Sequence, residues 1–175
     1  LPVIYGVPQG SCLGPLLFLI YINDLSNAHK TSSFVLFADD TNIFVAAKTR
    51  ALAYKKANEI LYCVQRYMFA NKLHINIGKS CYIEFSGSKI SSEDTVDPIN
   101  INGHTLKKVS TTKFLGVIID ENLNWNTHRA KLTKKLAACS GILNRIKDNI
   151  PSTLHKDLYH TLFESHLSYG ITVWG

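Results

Sequence analysis

The chain has 175 residues, 46% of them hydrophobic, and a formal charge of +6, enough for one sizeable core or for one domain with part of a second. Its longest apolar run, Pro15 to Ile22, falls far short of the ~18 residues of a membrane-spanning helix, and Leu1 to Tyr5 lacks the basic lead-in of a signal peptide. Cys12, Cys63, Cys81 and Cys139 are too scattered for a zinc or disulfide framework, so reduced intracellular thiols, no secretion and no membrane partner are expected.

Gly6 to Pro15 is dense in Gly and Pro and reads as a constrained loop feeding a buried helix over Leu16 to Ile22, with Pro15 in the first turn. It is not a phosphate-binding P-loop, because the Gly-Lys-Ser/Thr ending is absent. Asn23 to Asn27 forms the exit, and a polar loop, Ala28 to Ser32, follows. Two strand-forming runs, Ser33 to Leu36 and Thr41 to Val45, then flank Phe37-Ala38-Asp39-Asp40, which predicts a hairpin with carboxylates at its tip. An isolated Asp-Asp between strands is by itself an ordinary turn. Two like charges held beside an apolar sheet also fit a divalent cation with oxygen ligands, magnesium foremost.

From Thr49 to about Leu73, the residues Leu52, Ile60, Leu61, Val64 and Met68 alternate with charged positions as in an amphipathic helix. A strand is expected over Tyr82 to Phe85, then a polar loop from Ser86 to Asp97. Ile99 to His104 carries Asn102-Gly103, a strong hairpin-turn signal, and Thr112 to Ile119 reads as one further strand. Past Asp120 the pattern turns helical: Asn126 or Thr127 can cap a helix whose apolar seam is Leu132, Leu136, Cys139, Leu143 and Ile146. Pro151-Ser152 opens another, through about Ser165. A domain boundary is expected near Asp120.

Charge is distributed unevenly. Lys107 to Lys147 holds nine Lys or Arg against Asp120 and Glu121, so the whole positive excess lies there, as on a surface that meets nucleic acid or on a solvated helix face. His155, His160 and His166 are spaced so that they share no helix face, and no zinc motif is completed.

Taken in order, the segments resemble one family. Gly6-Val7-Pro8-Gln9-Gly10-Ser11, Leu13 to Phe18, Tyr21-Ile22-Asn23-Asp24-Leu25 and Phe37-Ala38-Asp39-Asp40 are similar to the fourth and fifth conserved blocks of reverse transcriptases, most closely those of jockey-type non-long-terminal-repeat retrotransposons. Asn71-Lys72-Leu73 through Lys79-Ser80 resembles the next palm block, Phe114-Leu115-Gly116-Val117 the primer-grip block. Trp125, His128, Ser165-His166-Leu167, Tyr169-Gly170 and Trp174 are similar to the thumb and post-thumb region.

The resemblance implies an α+β chain: part of a right-hand polymerase palm, an antiparallel sheet with helices over residues 1–120, then a helical thumb over 121–175. It implies an RNA-directed DNA polymerase that joins nucleotides with two magnesium ions, using an RNA template, a DNA primer and deoxynucleoside triphosphates. Asp39 is the expected direct metal ligand, with Asp40 either ligating or shaping the field. Gln9 and Gly10, with Phe37 and Ala38, would place the incoming nucleotide against the template. Lys79 matches a lysine proposed to protonate the pyrophosphate, although it also reads as a plain surface lysine. Leu115 and Gly116 would lie under the primer, and Lys131, Lys134 and Lys135 would meet the nucleic-acid backbone.

Because the chain opens on Leu1, we expect a segment of a longer protein, acting in the nucleus and cytoplasm. The family's third metal-binding carboxylate and its fingers would come from upstream in the parent polypeptide. The chain alone is therefore expected not to polymerise, and an apolar sheet edge is expected to be exposed. The alternative is a catalytically dead nucleic-acid-binding module from a decayed element.

Overall fold

A computed structural model of the chain describes residue 7 and residues 10–29, 32–86 and 96–175. Gln9 and most of the loop expected over Ser86 to Asp97 lie outside the described residues. The elements run α1 (Leu13–Ile22), a 3-10 turn, β1 (Ser33–Phe37), β2 (Asp40–Phe44), α2 (Arg50–Ala70), β3 (Cys81–Tyr82), β4 (Asn100–Ile101), β5 (His104–Thr105) and β6 (Lys107–Lys108), then β7 (Thr111–Phe114), β8 (Val117–Asp120), α3 (Asn126–Ile146), α4 (Ser152–Tyr159), a π-helical stretch, α5 (Ser165–Ser168) and α6 (Ile171–Trp174). The fold class is mixed α+β. The chain divides into two compact units, Leu1–Cys81 with Ile90–Lys107, and Tyr82–Lys89 with Lys108–Gly175.

In the first unit, Ile22, Leu25, Ile60 and Val64 form the buried core. Phe34 and Leu36 of β1, together with Ile43 and Val45, pack against it, as the alternating pattern of a half-buried hairpin requires. Thr49 caps α2 by accepting from the Leu52 N–H. Near the other end of α2 the Tyr67 hydroxyl donates to the Tyr21 carbonyl at 3.1 Å, and burial, with Asp24 and Tyr21 adding, pushes that phenol above its ordinary pKa. The proton stays on the donor. Asn58 clamps β4 to α2, accepting from the Asn100 N–H at 2.9 Å while donating to the Pro98 carbonyl at 3.1 Å. Beside it, Asn102 and Gly103 take φ of 49° and 78°, the two-residue turn that Asn-Gly predicts.

Two expectations for this unit need correction. The apolar helix α1 is not buried: Ile22 alone among its residues is buried, and Leu13, Leu16, Leu17, Leu19 and Ile20 are exposed. Only the side of α1 bearing Phe18 and Ile22 meets the core, because a helix that is apolar all round offers more faces than this unit can cover. Leu52, placed on the α2 seam, is exposed as well. The apolar sheet edge expected beside the acidic turn is present: among the described residues the ladder there is two-stranded, with Val35, Phe37 and Phe44 exposed.

In the second unit, β7 and β8 form an antiparallel hairpin from Thr111↔Asp120 to Phe114↔Val117. The single strand expected over Thr112 to Ile119 is thus two, broken where Leu115 and Gly116 take φ of 44° and 91°. Tyr82 contributes one carbonyl, which accepts from the Val109 N–H, and the strand expected on to Phe85 stops at Tyr82. Strands exist by pairing, which local propensity does not dictate.

The seam of α3 holds: Cys139 is buried, Leu132, Leu136, Leu143 and Ile146 are half-buried, and Lys131, Lys134, Lys135 and Lys147 are exposed. Its expected cap does not. Trp125 occupies the N-cap without a side-chain bond, and the Asn126 carbonyl oxygen of the side chain instead accepts from the Arg129 guanidinium at 2.5 Å. The turn is anchored from outside by Asp120, a buried carboxylate whose Oδ1 accepts from the N–H groups of Asn122 and Asn124 at 3.1 and 3.2 Å and whose Oδ2 accepts from Trp125 at 3.0 Å. The expected boundary residue thus ties β8 to the start of α3.

Candidate functional site

The acidic turn is built by the register of its hairpin. Phe34↔Ile43 and Leu36↔Thr41 face inward, while Ser33↔Phe44, Val35↔Asn42 and Phe37↔Asp40 face outward. With Phe37 paired to Asp40, the loop is the two residues Ala38 and Asp39, and Ala38 adopts φ of 50°. A β-carbon in that region costs about 1 kcal/mol, so the turn is strained at the tip that carries both carboxylates.

Asp39 and Asp40 are exposed, and neither carboxylate has an ion-pair or hydrogen-bond partner among the described residues. Oxygen donors of this kind suit a hard cation. They are two, however, and no group of three His, Cys, Asp or Glu able to hold a metal occurs among the described residues. The donor set fits magnesium in kind and falls short in number.

Of the other candidates, Gly10 is exposed at φ 89°, with nothing within 4 Å of where a β-carbon would sit, so its glycine serves backbone conformation rather than close approach. Phe37 is 60% exposed, an aromatic face open beside the carboxylates. Lys79 ends a one-turn 3-10 helix whose backbone is held by the Asn76 side chain at 3.2 Å, and its exposed ammonium has no partner among the described residues. Leu115 and Gly116 form the β7–β8 turn of the second unit, and Lys131 and Lys134 line a shallow open depression on α3 with Asn126, Thr127 and Ala130. Lys135 is exposed on the same helix. The structure therefore gathers Gly10, Phe37, Ala38, Asp39, Asp40 and Lys79 in one unit, and Leu115, Gly116 and the three lysines in the other.

Of the three histidines spaced along the C-terminal helices, two are engaged as ordinary polar groups. His155 Nε2 contacts the Lys147 carbonyl at 2.9 Å, and His160 pairs with Glu164. His128, which no spacing singled out, is buried; its Nδ1 accepts from the Ile118 N–H at 3.3 Å, fixing the Nε2–H tautomer.

The family model described as reverse transcriptase (RNA-dependent DNA polymerase) matches residues 1–119. The chain is similar to the Pol polyprotein of the type-1 retrotransposable element R1 from Bradysia coprophila, 28% identical over 174 residues, which cover 97% of this chain and 17% of that protein. It is 27% identical to the probable RNA-directed DNA polymerase of transposon X-element from Drosophila melanogaster, over 97% of this chain and 19% of that one. The RNA-directed DNA polymerase of mobile element jockey, from the same fly, is 23% identical over 99% of this chain and 20% of its own length. The chain thus spans about a fifth of the length of these relatives. No solved structure is a significant match.

Proposed function

Given that the chain belongs to the reverse transcriptase (RNA-dependent DNA polymerase) family, we propose that it supplies the rear of a polymerase palm, over residues 1–120, and a helical thumb, over 121–175, to a retrotransposon protein that copies RNA into DNA in the nucleus and cytoplasm. The observation that carries the reading is the β1–β2 turn, which presents Asp39 and Asp40 together, both exposed and neither carboxylate with a partner among the described residues. Asp39 and Asp40 would hold magnesium, whose chemistry when bound is to activate the primer hydroxyl and neutralise the leaving pyrophosphate. Phe37, Ala38, Gln9 and Gly10 would place the nucleotide against the template, Lys79 would give a proton to the pyrophosphate, and Leu115 and Gly116 would bear the primer. Two carboxylates are too few for a two-metal site, so the remaining ligand, with the fingers, would come from elsewhere in the parent.

A primer-extension assay with magnesium on an RNA template, run with this chain and with the full-length parent protein, tests the proposal. Extension by the parent and none by the chain is expected. Extension by the chain alone would show that its site is complete, and failure of both would leave a nucleic-acid-binding module.

The thumb is tested by binding. Reversing the charge of Lys131, Lys134 and Lys135 to Glu should weaken binding of an RNA–DNA hybrid roughly tenfold or more and flatten its log–log salt dependence by about two, since each phosphate contact releases counterions. Fluorescence anisotropy across a salt series reads both. An unchanged slope would mean that these lysines are only a solvated face.

A further inference from the structure

Tyr169 lies 54 residues beyond Leu115, yet its hydroxyl donates to the Leu115 carbonyl at 2.5 Å. Its ring lies against Gly116 so closely that a β-carbon there would sit 3.0 Å from Cε1 and 3.3 Å from the hydroxyl oxygen. The turn has reason to be held: both its residues are at positive φ, which is easy for glycine and costly for leucine.

Tyr169 is itself held. Trp174 Nε1 donates to the Tyr169 carbonyl at 2.8 Å, Gly170 turns the chain at φ 65° beside Val117, and the Trp174 ring tilts onto buried His128 with centroids 5.2 Å apart. A linked series of contacts therefore runs from the interior of the second unit to one turn, whose Gly116 is exposed. Rigidity of that kind matters where a reacting end must be placed to a fraction of an ångström.

We propose that Tyr169 is a positioning residue for the primer, fixing the Leu115-Gly116 turn on which the primer backbone rests; this depends on the polymerase reading above. It acts through the turn and touches no reacting atom.

The test is steady-state primer extension by the full-length parent protein, as wild type, Tyr169→Phe and Asp39→Asn, with melting curves for each. Tyr169→Phe removes one oxygen and keeps the ring on Gly116. Its KM for primer–template should rise about fivefold while its KM for deoxynucleotide stays within about twofold. Unchanged KM values in a protein that Asp39→Asn inactivates would overturn the positioning role and leave the polymerase reading standing. An equal rise in both KM values would mark a merely structural tyrosine, and would overturn it too. Extension that survives Asp39→Asn, or none by wild type, overturns the polymerase reading and this proposal with it. Should Tyr169→Phe unfold, Trp174→Phe tests the same series: it removes the indole N–H that holds the Tyr169 carbonyl. The same KM should then rise about twofold to threefold, and no change would overturn the proposal.

Discussion

Replacing Asp39 by alanine in the full-length parent protein is expected to abolish magnesium-dependent primer extension, by about a thousandfold or more, equivalent to ~4 kcal/mol of transition-state stabilisation. The same substitution should leave stability almost untouched. Asp39 is exposed, and its carboxylate has no partner among the described residues, a position at which most changes stay within about 0.5 kcal/mol. Removing one of two adjacent like charges can even stabilise the apo protein slightly. Loss of activity without loss of stability separates a ligand from a turn residue. Asp40→Ala should also impair extension, since it stands beside the turn as the partner of Phe37. A parent protein that extends primers normally with Asp39→Ala would remove the metal assignment and return Asp39-Asp40 to a plain hairpin turn.

The opposite profile is expected at Asp120. Asp120→Ala should destabilise the chain by about 3 kcal/mol, because the buried carboxylate accepts from three backbone N–H groups, which would be left without an acceptor. Asp120→Asn should recover only part of this, since one oxygen becomes an NH2 group that faces a donor. Urea unfolding measures the loss, and amide exchange locates it: Asn122, Asn124 and Trp125 should lose protection first. A shift below about 1 kcal/mol would mean that water satisfies those amides, and that the start of α3 is set by something other than Asp120.

These two aspartates also show what could be read in advance. Asp39-Asp40 was legible because alternating strand residues on both sides leave a short acidic break. Asp120 was not, because a lone acid after a strand says nothing about which amides it will meet. Asn102-Gly103 announced its turn through residues that accept positive φ. Leu115-Gly116 makes a comparable turn, but leucine disguised it inside a β-rich run, and Gly116 was the sole local signal. Tyr169 and His128 lie in segments that resemble the thumb region, but nothing local announced their contacts: the first bonds a carbonyl 54 residues away, and the second, on α3, meets β8 and the Trp174 ring.

The order of short blocks, the carboxylate pair, the lysine-rich helix and the periodicity of α2 and α3 were determined by the sequence alone, because each rests on residues close in the chain and on the period of a helix or strand. Tertiary structure decided which apolar faces are covered, where a β run folds back on itself, what anchors the start of α3, and which distant tyrosine holds the β7–β8 turn. Those outcomes depend on pairing and burial between remote segments, for which no local pattern supplies the partner.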